Sequence, residues 1–160
     1  MKIGLLSDTH SFFDKKIYSY FKDVDEIWHA GDIGDIEVLD ELMGFKKTRA
    51  VYGNIDNFNI RNLCEKELIF SINDLKIYMT HIGGKPPNYN KEVINKIKKI
   101  SPNIFICGHS HILNISKDKN LNLLYINPGA AGKVGFNKER TVVRFQIKSK
   151  KVTSMEVIKL

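Results

Sequence analysis

Short apolar runs and amphipathic stretches alternate through the first third of the chain. Met1 to Ser7, Glu26 to Ala30 and Thr48 to Tyr52 are compact apolar segments that break at Ser-Asp or at Gly, the pattern of buried strands opening into loops. Between them, Asp14 to Lys22 carries Ile17, Tyr18 and Phe21 at helical spacing. Asp35 to Met43 carries Ile36, Leu39, Leu42 and Met43 on one helical face, with Gly44 as the expected stop. Strand, helix, strand, helix, strand implies a parallel sheet with right-handed crossovers.

The pattern changes after residue 66. Glu67 to Ile72 and Leu75 to Thr80 flank Asn73-Asp74, which predicts a tight hairpin. A Gly-Gly-Lys-Pro-Pro loop follows. Tyr89 to Ile100 then places Val93, Ile94, Ile97 and Ile100 at helical spacing and stops at Ser101-Pro102. Asn103 to Cys107 reads as another buried strand. Ile112 to Lys117, Leu121 to Ile126, Arg140 to Lys148 and Val152 to Ile158 read as antiparallel strands, with turns at Asp118 to Asn120 and Lys148 to Lys151. The expected fold is α/β, a mixed-sheet α/β/β/α sandwich of two packed sheets with helices outside. No repeat, low-complexity stretch or linker interrupts it, and 160 residues form one domain over 1–160 with room for a sizeable core.

Five segments hold nearly every side chain able to bind a transition metal: Asp8-Thr9-His10, Gly31-Asp32, Gly53-Asn54, His81 and Gly108-His109-Ser110-His111. Each follows an apolar run, so each lies at a strand's carboxyl end, where open α/β sheets collect ligands. Taken singly, Asp8 or Asp32 is as well explained as a helix cap, Asn54 as a left-handed turn residue, and His81 as a satisfied core histidine. Independent structural needs do not place a carboxylate, amide or imidazole at every successive strand end, so the joint pattern favours metal. Imidazole with carboxylate suits Mn, Fe, Ni, Co or Zn, and seven donors exceed what one ion needs, which points to two. His29, inside a strand, reads instead as a core residue that orients the site.

Charge and cysteine content narrow the setting. Lys and Arg outnumber Asp and Glu by 25 to 18, for a net +7, which would draw anionic partners. Much of the excess is Lys scattered among Asn and Ile, as at Lys96, Lys98, Lys99, Lys117 and Lys119, and reads as a solvated surface. There is no aromatic-rich RNA-binding motif, so nucleic acid is not an expected partner. Cys64 and Cys107 have neither disulfide-framework nor metal-site spacing. No leader segment or membrane-length apolar run is seen, so a cytoplasmic setting without membrane association is expected.

These motifs, in this order and over most of the chain, resemble the calcineurin-like metallophosphoesterases, most closely the small single-domain phosphodiesterase branch; Asn127-Pro128-Gly129-Ala130 is a further similar turn. The resemblance implies that Asp8, His10, Asp32 and His111 hold one divalent ion and that Asp32, Asn54, His81 and His109 hold a second, with Asp32 bridging. Manganese is the first expectation, with Ni, Fe, Co and Zn compatible. A small phosphate ester, a diester before a monoester, would be hydrolysed by in-line attack of a hydroxide shared between the ions. Asp32, Asn54 and His81 would be catalytic, and Asp56 would orient groups or exchange protons, helix capping being its alternative role. A homo-oligomer is compatible with the family.

Two departures qualify that expectation. Many members carry His after Gly-Asn to protonate the leaving group, whereas this chain has Ile55. Members often read Thr-His-Gly-His, whereas this chain reads Thr80-His81-Ile82-Gly83-Gly84-Lys85, so Gly83, Gly84 and Lys85 become candidate phosphate contacts in place of the later imidazole, a flexible turn before Pro86-Pro87 being their alternative role. Phe12-Phe13 either lines the mouth or anchors the next helix. The competing functions are a non-catalytic protein-interaction scaffold of the same fold, which an incomplete donor set would signal, and a phosphomonoesterase or nuclease.

Overall fold

In the computed structural model, which describes residues 1–135 and 139–160, the first third follows the alternation expected from the sequence. β1 (Lys2–Leu6), α1 (Lys16–Tyr20), β2 (Glu26–His29), α2 (Ile36–Phe45) and β3 (Lys47–Ala50) succeed one another, and β1, β2 and β3 pair in parallel. Strand alternation sorts the side chains of β1 to two cores. Ile3 and Leu5 enter the cluster between the sheets and Leu6 enters the cluster under the helices. Gly4 is the contact point on the helical side, since a Cβ there would lie 2.6 Å from the Phe21 ring.

α3 (Phe58–Leu63) follows, and the second sheet begins with β4 (Glu67–Ile72) and β5 (Leu75–Thr80). Asn73 and Asp74 both take left-handed φ, 47° and 63°, which two-residue hairpin turns require. A two-residue ladder of β6 (Gly84–Lys85) and β7 (Asn88–Tyr89) leads to α4 (Lys91–Ile100), then β8 (Ile104–Ile106), β9 (Leu113–Asp118), β10 (Leu123–Pro128), β11 (Thr141–Lys148) and β12 (Lys151–Lys159).

The sheets have orders β12-β11-β1-β2-β3 and β4-β5-β8-β10-β9. Trp28, Ile77, Ile106 and Phe145 are among the residues packed between them. The first three helices bury Ile17, Leu39 and Ile60 on one outer face, and α4 buries Val93 and Ile97 against Tyr78, Phe105 and Tyr125 on the other. β5, β8 and β10 run parallel, so the carboxyl ends of both parallel sets frame one edge. The chain crosses between sheets after β10, where Ala131 N donates to Ser7 O and Gly132 N to Asp8 O.

Three local readings change. α2 runs through Gly44 to Phe45, because Phe45 packs against the helical layer and that packing outweighs the glycine's weak propensity. α3 was not expected; its one buried residue, Ile60, leaves no periodicity, and its start is set by the Asn57 side chain accepting from the N–H groups of Asn59 and Ile60. β6 and β7 lie in what reads as a Gly-Pro loop.

Candidate metal centre

The donor side chains sit one to five residues beyond their strands, on loops that backbone hydrogen bonds hold in place. Asp8 N donates to Gly31 O (2.9 Å), His10 N to Asp32 O (3.0 Å) and Gly108 N to His81 O (3.0 Å), so the ladder continues past the strand ends. That support matters because Asp8, His10, Asp32, His109 and His111 all have positive φ, between 45° and 67°. Each such conformation costs on the order of 1 kcal/mol or more and persists only where surroundings over-determine it, as at functional sites.

The side chains converge into two groups, Asp8 with His10 and His111, and Asp32 with His81 and His109, each with donor atoms within 4.8 Å of one another. In the first, His111 Nε2 is 3.2 Å from both Asp8 Oδ1 and His10 Nε2. In the second, His81 Nε2 is 3.2 Å from Asp32 Oδ1. Asp32 joins the two: its Oδ1 faces His81, and its Oδ2 lies 3.6 Å from His10 Nε2. Donors about 2.1 Å from one ion stand roughly 3.0 to 3.4 Å apart at octahedral to tetrahedral angles, and the 3.2 Å separations of His111 from Asp8 and His10 and of His81 from Asp32 fall in that range.

His81 supplies the sharpest test of fit. Its Nδ1 lies 2.8 Å from Ala30 O, and a carbonyl only accepts, so Nδ1 carries a proton and, in the neutral ring, Nε2 presents a lone pair. Nε2 is buried without a hydrogen-bond partner among the described residues, facing carboxylate oxygens that also carry lone pairs. A positive charge between them, a divalent ion or a proton on Nε2, resolves that confrontation. Burial disfavours protonation of His81, but the Asp32 and Asp8 carboxylates outweigh it and raise the imidazole above its ordinary value. Asp8 likewise raises His111. The pocket attracts positive charge, and the donor set fits divalent ions.

A surrounding layer fixes these groups. Both oxygens of buried Asp56 accept backbone N–H bonds, Oδ1 from Gly34 and Oδ2 from Gly53, each at 2.7 Å. Asp56 therefore ties the loops that carry Asp32 and Asn54, and capping of α3 falls to Asn57. His29 accepts from Gly31 N at Nδ1 (3.2 Å), which places its proton on Nε2, 2.9 Å from Thr9 Oγ1; the hydroxyl donates on to Ile33 O (2.9 Å). Full burial lowers the His29 pKa to about 4. Asn127, noted from sequence only as part of a turn, donates from Nδ2 to Gly108 O (2.8 Å) and to Ser110 Oγ (3.1 Å), orienting the loop of His109 and His111.

Two cavities adjoin the donors. One, of ≈ 320 Å³, is lined by Gly83, Gly84, Lys85, His109, Leu113 and Tyr125 among others. Gly84 O is held by the Tyr125 hydroxyl at 2.9 Å. The other, of ≈ 290 Å³, holds Asn54 and His81 together with Tyr52, Arg61, Lys66 and Ile82. A larger depression, ≈ 540 Å³, is lined by Tyr18, Glu37, Asp40 and Glu41 and contains none of the donors. Phe13 packs against the helical core. Phe12 lies between Lys133 (4.0 Å) and the Arg140 guanidinium (5.1 Å). Cys64 and Cys107 are buried free thiols.

Comparison with known proteins converges on one group. Residues 1–150 match the Calcineurin-like phosphoesterase superfamily domain. A probable metallophosphoesterase of Methanocaldococcus jannaschii is 34% identical over 136 residues, covering 81% of this chain and 68% of its own length. The structure of a functionally characterised archaeal phosphodiesterase superposes with a TM-score of 0.79 at 25% identity, covering 100% of both chains. Vps29 of Entamoeba histolytica in complex with zinc shares the fold, with a TM-score of 0.75 at 16% identity over 100% of this chain and 98% of its own.

Proposed function

The chain belongs to the calcineurin-like phosphoesterase superfamily, and on that premise we propose that it is a phosphoric ester hydrolase using two divalent cations, with diesters preferred over monoesters. The observation that carries the reading is Asp32, whose two oxygens face different imidazoles, His10 at 3.6 Å and His81 at 3.2 Å. A carboxylate presenting one oxygen to each of two donor groups is what a shared ligand needs. Asp8, His10, Asp32 and His111 would hold one ion; Asp32, Asn54, His81 and His109 would hold the other, with manganese first and Ni, Fe, Co or Zn suited to the same donors. When bound, the ions supply an activated water near neutral pH and charge stabilisation for the phosphoryl group.

The remaining work falls to the chain. Asn54 borders the same cavity as His81, where its amide can donate to a phosphoryl oxygen. Lys85, exposed and lining the other cavity with His109, adds a point charge there, and exposed Gly84 leaves the backbone approachable, whereas Gly83 is buried, with a Cβ there only 2.6 Å from the Phe105 ring. Asp56, with both oxygens accepting amides, positions Gly53 and the Asn54 loop. Ile55 and Ile82 stand exposed next to Asn54 and His81 and cannot donate a proton. Esters whose leaving group departs without protonation, such as aryl and other acidic alcohols, are thus the favoured substrates. The resemblance to the archaeal phosphodiesterase supports the diester preference. The full donor set speaks against a purely scaffolding role.

The test compares metal-free and manganese-loaded protein on bis(p-nitrophenyl) phosphate and p-nitrophenyl phosphate. Manganese-dependent turnover with preference for the diester is expected. Absence of metal-dependent turnover on both would promote the scaffold reading, and preference for the monoester would overturn the diesterase assignment.

A further inference from the structure

Arg61 stands apart from the other arginines. Arg49, Arg140 and Arg144 each end on a carboxylate, those of Glu26, Asp14 and Glu156, at 2.7, 2.6 and 2.6 Å. Arg61 has no carboxylate within ion-pair distance among the described residues. It is held by neutral groups instead: Nε donates to Asp56 O (2.7 Å), Nη2 donates to Asn54 O (3.3 Å), and the guanidinium lies 5.0 Å from the centre of the Tyr52 ring. Those contacts occupy two of the five guanidinium N–H groups. The other three have no acceptor among the described residues.

Arg61 also lines the cavity that holds Asn54 and His81, together with Lys66, another cation without a carboxylate partner among the described residues. An arginine oriented in advance, left without a counter-ion and facing a cavity that opens on the candidate metal centre is arranged to receive an anion. The planar fork suits bidentate pairing with phosphate. We propose that Arg61 is a specificity-determining residue that binds a second phosphate of the substrate, so that the preferred esters carry a phosphate besides the one attacked. This rests on the phosphoesterase reading above. The other cavity, bordered by Leu113 and Tyr125, has no guanidinium among its described lining residues.

The test uses a matched pair, the p-nitrophenyl ester of thymidine 5′-phosphate with and without a 3′-phosphate, and manganese-loaded protein. The expected result is a kcat/KM about tenfold higher for the 3′-phosphorylated ester, through KM, the scale of one charged hydrogen-bonded contact. In Arg61→Gln the ratio falls to about one, and Arg61→Lys restores part of it. A purely structural arginine would lower both esters in proportion and leave the ratio intact, which overturns the proposal, as does a wild-type ratio near one. Calorimetric binding of thymidine 3′,5′-bisphosphate against thymidine 5′-phosphate gives the same ratio without turnover. If neither ester is hydrolysed the phosphoesterase reading fails, and the calorimetric ratio still decides the role of Arg61.

Discussion

A Cβ on Gly53 would sit 2.0 Å from Asp32 Oδ1, closer than any real contact allows. The absence of a side chain at position 53 is therefore what lets the Asp32 carboxylate stand where it faces both imidazole groups. Gly108 does the same for Asp8, with its notional Cβ 2.7 Å from Oδ2.

Gly53→Ala is expected to displace Asp32 and weaken manganese binding by about ten- to a hundredfold, the scale of losses when the support of a metal ligand is removed. Gly44→Ala is the contrasting change. That Cβ would meet nothing within 4 Å, and Ala is favoured over Gly in a helix by about 1 kcal/mol, so its melting temperature should rise by roughly 2 to 4 °C. Titration calorimetry and thermal melts read both. Unchanged metal affinity in Gly53→Ala would contradict the geometry.

Asp32→Asn tests the bridging role by counting ions. Wild-type protein should bind two equivalents of manganese and the variant one or fewer, by metal analysis after desalting. At concentrations about 100-fold above Kd, manganese should stabilise the wild type by about 2.7 kcal/mol per site, with chelator reversing it. Two ions retained in Asp32→Asn would remove the bridging assignment.

His29 makes stability depend on pH. Its pKa drops from 6.5 to about 4 on folding because it is fully buried, so the unfolded chain takes up a proton below 6.5 that the native state resists until about 4. The contribution is fully present above the higher value, is lost at about 1.4 kcal/mol per pH unit between the two, and levels off below the lower. Urea titrations between pH 7 and 4 should show a shallower loss in His29→Asn than in wild type. Equal slopes would mean that His29 does not stay neutral in the fold.

Asp56→Asn separates positioning from proton exchange. Asn keeps one acceptor oxygen but meets the second backbone N–H with an NH₂ group, which should cost on the order of 1 to 3 kcal/mol and reduce turnover. The shape of the pH–rate profile should survive. Loss of one limb of that profile would assign Asp56 to general acid–base chemistry instead.

Ile55→His adds the missing acid. Ile55 is 45% exposed and its N–H donates to Asp32 Oδ1 at 3.1 Å, so a side chain there is accessible next to the centre. Activity on esters with alkyl leaving groups should rise by roughly tenfold or more, with little gain on aryl esters, because general acid catalysis helps poor leaving groups most. An equal effect on both ester types would argue against leaving-group departure as the limiting step.

Much of the fold and of the candidate site is legible in local pattern. Period-2 and apolar runs determine β1, β2, β4 and β5; helical spacing determines α2 and α4; and Asn73-Asp74 determines a hairpin register, because each signal is carried by residues adjacent in the chain. The same runs put Asp8, Asp32, Asn54, His81, His109 and His111 at strand ends. What local pattern does not contain is who faces whom. α3 has one buried residue and no period, and α2 passes Gly44 because Phe45 finds a partner in the helical core. Asp56 joins Gly34 to Gly53 across 22 and 3 positions, Asn127 holds the loop of His109 and His111, and Arg61 lacks, among the described residues, the carboxylate that every other arginine has. Those relationships arise only when two sheets pack and their loops meet at one edge, since a hydrogen bond or an unpaired charge belongs to a pair of positions in space. The sequence thus determined which donors exist and where each strand delivers them; tertiary packing decided that Asp32 stands between His10 and His81.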